Sequence, residues 1–268
     1  MSDRAVDLDP TVAHPARRYD YWLGGKDNFA ADRASGDAIE ARFPDVRKAV
    51  LANRAVLGRM TRFLAGEAGI RQFLDIGTGL PTADNTHEVA QRVAPESRVL
   101  YIDNDPLVMT HARALLTGSA AGRTDYIEAD LRDPGSILAD PRLRNTLDLG
   151  RPVALMLIAV LHFLPDRERE RAIVRELVAA LPAGSYLAVT HATMDYLDEA
   201  GRAAATRMLE SGVADTWPST RDEFRELFDG LELVEPGVVL LPEWRPDGAV
   251  APYDPAAINM WAGLARKP

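Results

Sequence analysis

Residues 72–82, Gln72-Phe-Leu-Asp-Ile-Gly-Thr-Gly-Leu-Pro-Thr82, carry the reading of this chain. Phe73, Leu74 and Ile76 form a short apolar strand with Asp75 inside it, and Gly77-Thr78-Gly79 ends that strand in a tight turn. A turn without Cβ atoms lets backbone pass close to a ligand. Polar residues then lead into a helix predicted over 83–93. The pattern is that of a first parallel strand whose carboxyl end faces a nucleotide-type ligand.

The same pattern repeats along the chain. A second apolar run, Arg98 to Ile102, ends in Asp103-Asn104-Asp105-Pro106. Gly79 and Asp103 are separated by about one helix plus one strand, the spacing at which an acid ending the second strand meets a ribose diol. A third run, Thr124 to Glu128, ends in Ala129-Asp130-Leu131, and a fourth, Pro152 to Val160, ends near His162. In open α/β sheets, ligands sit along that edge. Helices are predicted over 106–117, 134–140 and 166–181, with a fifth strand over 185–191. Further helices follow over 194–212 and 220–228. Strands over 231–241 and 258–265 close the chain, joined by a loop with prolines at 242, 246, 252 and 255. Strands separated by helices imply a doubly wound, mostly parallel α/β sheet of seven strands, and the last pair should form an antiparallel hairpin.

Before the first strand, residues 1–15 read as a disordered tail. Residues 16–33 mix aromatics, glycine and charge outside a plain helical period. Helices are predicted over 37–43 and 46–65, the second with Val50, Leu57, Met60 and Leu64 at helical spacing. Residues 16–66 therefore read as an N-terminal helical cap or lid on a domain spanning 67–268.

Composition removes several classes of function. The chain has 268 residues and is 47% hydrophobic, enough for a sizeable core. A net charge of −9 argues against a general nucleic-acid binder, which would show a basic face. Of 31 basic residues only Lys26, Lys48 and Lys267 are lysine. The longest apolar stretch, Val153 to Leu161, is too short to span a bilayer, and the polar N-terminus does not read as a secretory signal. There are no cysteines, hence no disulfide or thiolate metal site, which suits a cytoplasmic protein. His14, His87, His111, His162 and His191 show no metal-ligand spacing.

The glycine turn, the acid-Pro element at 103–106 and the Ala-Asp element at 129–130 resemble those of class I S-adenosylmethionine-dependent methyltransferases. The segment ARRYDYWLGGKDNFAADR (16–33), with Ala52-Asn53-Arg54 and DIGTGLPT, resembles one actinobacterial group of them, long classed as a domain of unknown function. The resemblance extends over nearly the whole chain. It implies a Rossmann-like methyltransferase sheet, S-adenosyl-L-methionine as cofactor and a small-molecule methyl acceptor. By resemblance, Gly77, Thr78 and Gly79 line the methionine part and Asp75 supports the turn. Asp103 accepts the ribose hydroxyls, Asn104 packs beside adenine, Asp130 and the Leu131 N–H read the adenine edge, and Ile158 and Ala159 form the floor under the sulfonium.

Within 16–33, Tyr19, Tyr21, Trp22 and Phe29 either form an aromatic lid near the sulfonium or staple the cap to the sheet. Lys26, Asn28 and Arg33 either hold an amino-acid end or only pack. Of these, Tyr21 and Asn28 are taken as cofactor residues. His162, His191 and Asp195 are candidate bases beside blander roles, and no catalytic residue is assigned. A nicotinamide fingerprint would want glycine at 82, where Thr82 stands, and Pro81 removes an N–H that a pyrophosphate would use. The element typical of amino-methylating DNA enzymes is absent at strand four. A non-catalytic cofactor-binding module stays open, as does, more weakly, a nicotinamide oxidoreductase.

Overall fold

The structure, a computed structural model, describes residues 8–115 and 119–268. Three helices come first: α1 (Pro15–Trp22), α2 (Ala30–Glu40) and α3 (Val46–Gly66). Then β1 (Gln72–Ile76), α4 (Thr86–Val93), β2 (Arg98–Asp103), α5 (Pro106–Leu115), β3 (Arg123–Glu128), α6 (Pro134–Ala139), α7 (Pro141–Thr146) and β4 (Ala154–Ile158) alternate. The chain continues through α8 (Arg167–Ala179), β5 (Tyr186–Ala192), α9 (Glu199–Glu210), α10 (Arg221–Glu226), β6 (Glu232–Leu233), β7 (Val239–Leu240), α11 (Pro255–Ile258) and β8 (Met260–Arg266).

The sheet runs β3-β2-β1-β4-β5-β8-β6, with β7 also paired to β8. The pairs among β1 to β5 are parallel, and β8 is antiparallel to β5, β6 and β7. This is the expected doubly wound sheet with its closing hairpin, but it has eight strands instead of seven. The predicted strand over 231–241 is split, because Pro236 offers no N–H to a ladder and Gly237 turns the chain at φ +82°. Both pieces pair with β8.

Alternation along the strands sorts the core. Leu74 and Ile76 of β1 face a layer that includes Ile137 of α6, Leu143 of α7, Ile173 of α8 and Phe224 of α10. Phe73 points the other way, to Val56, Met60 and Leu64 of α3. β1 and β4 are buried along their whole length, as central parallel strands are. α3 thus belongs to the sheet's own core, so the boundary at 66/67 does not divide the packing. α1 and the end of α2 stand over the carboxyl edge as part of its roof.

The N-terminal expectations need correction. Residues 16–33 are mostly helical, α1 ending at Trp22 and α2 beginning at Ala30. The helix predicted over 37–43 is the second half of α2. The tail reading fails for its last residues: the His14 backbone N–H donates to Asp32 Oδ1 at 2.8 Å, and His14 caps α1. Residues 1–7 lie outside the described ones, as do Leu116 and Thr117 of the helix predicted over 106–117. Gly24 and Gly25 are explained by a turn: Gly24 sits at φ +80°, and a Cβ on Gly25 would lie 1.9 Å from Asp20 Oδ1. Asp20, buried, accepts from the Asp27 backbone N–H at 3.0 Å and the Asn28 side chain at 2.8 Å, so the glycines make room for a carboxylate that ties the α1–α2 turn.

Candidate functional site

Above the carboxyl ends of β1, β2, β3, β4 and β5 lies a cavity of about 750 Å³, roofed by α1 and the α2–α3 connection. Its volume is in the range of small-ligand and cofactor sites. Asp75, Gly77, Thr78, Gly79, Asp103, Asn104, Asp130, Leu131, Ile158 and Ala159 all line it.

The glycine turn takes its shape from two positive φ angles, +75° at Gly77 and +66° at Gly79. The two glycines are needed for different reasons. A Cβ on Gly77 would lie 2.4 Å from Val160 Cγ2, inside the protein. A Cβ on Gly79 would meet only Ala16 Cβ, 4.0 Å away, and would otherwise project into the cavity. The Gly79 N–H donates to Asp103 Oδ2 at 2.8 Å, and the Asp105 N–H to Asp103 Oδ1 at 2.9 Å. Each carboxylate oxygen has one backbone donor and keeps acceptor capacity. Asp103 is 5% exposed, and burial pushes its carboxyl pKa up against those two N–H donors.

Asp75 is buried beneath the turn and accepts from Thr86 Oγ1, at the start of α4, at 2.6 Å. Burial pushes its pKa up to about 6, with the Thr86 hydrogen bond opposing. Residues 77–85 separate β1 from α4, so the helix does not open directly from the glycine turn as it does in a dinucleotide fingerprint. At the β3 end, Asp130 pairs with Arg132 at 2.5 Å, and that pair holds its pKa down. Asn104 reaches Asp130 only at 3.5 Å. Ala159, after β4, holds φ +54°, an uncommon conformation for a residue with a Cβ. It is sustained by its N–H donating to Thr190 Oγ1 at 2.9 Å.

That bond begins a buried chain linking roof to sheet. Thr190 Oγ1 donates to Asn53 Oδ1 at 2.7 Å, Asn53 Nδ2 donates to the Tyr19 hydroxyl at 2.9 Å, and that hydroxyl donates to the Val50 carbonyl at 3.3 Å. Arg54 donates to the carbonyls of Ala83 and Asp84, each at 2.9 Å, bracing the loop after the turn. Arg17 and His14 both reach Asp105 Oδ2 at 3.1 Å.

Tyr21 and Asn28, expected at the cofactor, are absent from the cavity wall. The Tyr21 hydroxyl donates to Asp37 at 2.7 Å, and Arg47 stacks over its ring at 5.0 Å. Asn28 serves Asp20 and Arg33. Lys26, Phe29 and Arg33 are also absent from the wall, whereas Pro15, Arg18, Tyr19 and Trp22 line it. Those four follow i, i+3, i+4, i+7, one face of α1. Reading Pro15 as a helix start would have separated Tyr19 from Tyr21.

Of the candidate bases, only His162 lines the cavity. Burial, then His191 and Arg167, lower its pKa well below the usual imidazole value. Its Nδ1 accepts from the Ala192 N–H at 3.3 Å, which in a neutral ring leaves the proton on Nε2. His191 is fully buried between Glu170 and Ser219, and Asp195 accepts from the Arg221 N–H at 2.8 Å.

A family model described as S-adenosyl methyltransferase matches residues 1–268. Among solved structures, the chain is similar to a DUF574 family protein from Streptomyces avermitilis, with 48% identity, a TM-score of 0.91, and 97% of this chain and 99% of that one covered. It is also similar to a candidate methyltransferase from Thermobifida fusca, with 43% identity, a TM-score of 0.89, and coverage of 100% and 99%. A more remote likeness, to an S-adenosylmethionine-dependent methyltransferase from Anabaena variabilis at 14% identity and a TM-score of 0.51, concerns the fold alone and covers 87% of this chain and 94% of that one. Among curated proteins none matches.

Proposed function

The chain belongs to the S-adenosyl methyltransferase family and is an S-adenosylmethionine-dependent methyltransferase; from that premise we propose that it methylates a small molecule held in the part of its cavity away from Asp103 and Asp130. The observation that carries this reading is the size and lining of the cavity. One continuous space of about 750 Å³ runs from the Asp103 and Asp130 end to apolar walls under α1 and the α2–α3 connection. A cofactor and a compact acceptor fit such a volume together.

The wall fits the cofactor's chemistry. Asp103 has acceptor capacity for a ribose diol, the Leu131 N–H and Asp130 suit an adenine edge, and Gly79 leaves space that a Cβ would fill. When bound, S-adenosylmethionine supplies a methyl group already activated on a sulfonium. The work left to the protein is positional. Ile158 and Ala159 form the floor where transfer would occur, and the Thr190–Asn53–Tyr19 chain fixes that floor against the roof. α1 excludes water, and the walls hold the acceptor's nucleophile for in-line attack. A neutral His162 with its proton on Nε2 orients an acceptor oxygen as a donor and does not act as a base.

The competing reading, a module that binds the cofactor without reacting, makes the opposite prediction in one assay. The protein is incubated with S-adenosylmethionine and a panel of phenols, amines and carboxylic acids, and S-adenosylhomocysteine is followed. Acceptor-dependent formation supports methyl transfer. Tight cofactor binding with none formed across the panel supports the module. No helix among the described residues is long and apolar enough to cross a membrane, and we take the reaction to be cytoplasmic.

A further inference from the structure

Arg17 and Arg18 are the buried arginines among the described residues, each 5% exposed. Arg17 is occupied by Asp105 and Asp32. Arg18 lines the cavity, and its side chain makes one ion pair, through Nη2 to Asp215 Oδ1 at 2.5 Å. Its Nε is buried without a hydrogen-bond partner. A buried N–H of a charged group without a partner is costly, and a ligand oxygen would satisfy it. The other basic side chains named along the wall are engaged or outward. Arg54 serves two carbonyls, Arg132 serves Asp130, His14 serves Asp105, and Arg42 is exposed.

Position tells which ligand. The cofactor elements come from the ends of β1, β2 and β3. Arg18 is held instead by Asp215, in the segment that follows β5 and α9. The neighbouring Trp217 N–H donates to the His162 carbonyl at 2.7 Å, which keeps that segment past the end of β4. Arg18 is therefore anchored on the acceptor side. Asp215 itself is 40% exposed in its side chain, so this partner faces solvent and can yield to a competing anion. The same cavity wall carries apolar side chains, Leu197, Ala205 and Leu209 from the β5–α9 region and Trp22 of α1.

Resting on the methyltransferase reading, we infer that Arg18 is the anion receptor of the acceptor site, and that the acceptor is an apolar, ring-sized molecule carrying a carboxylate. The guanidinium takes the carboxylate through Nε and a terminal nitrogen, the fork geometry that arginine offers. The carboxylate is the handle by which the acceptor is oriented. A second source of the same chemistry is the methionine carboxylate of the cofactor, and the experiment separates the two.

The full-length protein is saturated with S-adenosylhomocysteine and titrated calorimetrically with 1-naphthoate and, separately, 1-naphthamide. Naphthoate should bind at least tenfold more tightly. Arg18→Gln should erase that preference while leaving S-adenosylhomocysteine affinity within twofold. Asp215→Asn, which releases the guanidinium from its present partner, should tighten naphthoate binding; a merely structural Arg18–Asp215 pair predicts no gain. Circular dichroism melts of both variants identify any failure to fold, and Asp215→Asn keeps the test alive if Arg18→Gln does not fold. Equal binding of acid and amide to the wild type overturns the inference. So does a loss of S-adenosylhomocysteine affinity in Arg18→Gln with 5′-methylthioadenosine affinity unchanged, which would give Arg18 to the cofactor's carboxylate. Absence of S-adenosylhomocysteine binding to the wild type would strike the methyltransferase reading itself, and this inference with it.

Discussion

Replacing either glycine of the turn by alanine separates what the fold needs from what the cofactor needs. At Gly77 the added Cβ meets Val160 Cγ2 at 2.4 Å and Val160 Cβ at 2.7 Å, and φ is +75°. A left-handed L-residue costs about 1–2 kcal/mol, and an overpacked methyl about 1–3 kcal/mol, so Gly77→Ala should lose about 2–5 kcal/mol. At Gly79, φ is +66° but the nearest atom lies 4.0 Å away, so only the conformational cost of about 1–2 kcal/mol applies. Binding should rank the other way among folded variants. The Gly79→Ala methyl projects into the cavity and should weaken S-adenosylhomocysteine at least tenfold, about 1.4 kcal/mol or more. Urea unfolding gives the stabilities, and titration calorimetry gives the affinities. Val160→Ala added to Gly77→Ala should recover part of the loss, a coupling that a double-mutant cycle isolates. Equal stabilities for the two single variants would refute the clash, and wild-type affinity in Gly79→Ala would remove the turn from the cofactor site.

Three further outcomes follow from the same geometry. Asp103→Asn should weaken S-adenosylhomocysteine by about 1.5–3 kcal/mol, the scale of hydrogen bonds to a charged group. It should also lower stability, because the Gly79 and Asp105 N–H groups need two acceptor oxygens and an amide has one; an unchanged dissociation constant by calorimetry would count against the diol contact. Asp75 is an acid whose folded pKa is raised, so stability is full below its unfolded value of 3.8 and declines as pH rises to about 6. That rise corresponds to about 3 kcal/mol, so Asp75→Asn should be the more stable protein at pH 8 by up to about that amount and no different near pH 3; melts showing the same gap at both pH values would contradict it. Asn53→Ala removes the acceptor of the Thr190 hydroxyl and the donor to the Tyr19 hydroxyl, each of which keeps one other bond, and should cost about 1–3 kcal/mol in all; a stability equal to wild type would deny the chain its role.

Much of this architecture is written in local pattern. The runs ending at Gly77, Asp103 and Asp130 place the sheet edge because each is short and followed by a polar turn, the first two being apolar as well. The splitting of the 231–241 strand was also visible, in Pro236 and Gly237, but hydropathy alone passed over it. α7 was missed although Asp140-Pro141 repeats the helix start of Asp133-Pro134, a capping acid followed by proline. The N-terminal segment was the least legible. Its composition suggested irregularity, while the structure forms α1 with one face on the cavity and Tyr21 on the other. The burial of Asp20 against Gly25 and the Thr190–Asn53–Tyr19 chain are long-range contacts that no local period announces.

The most direct test follows the methyl group. Wild-type protein is incubated with S-adenosylmethionine carrying a radiolabelled methyl, together with a cell extract separated into small-molecule and macromolecular fractions. The account predicts label transferred to a compound in the small-molecule fraction, retained on an anion-exchange column, and reduced at least tenfold by Asp103→Asn at subsaturating cofactor. Label found only in protein or nucleic acid, or transfer to small molecules that persists undiminished without Asp103, would contradict it.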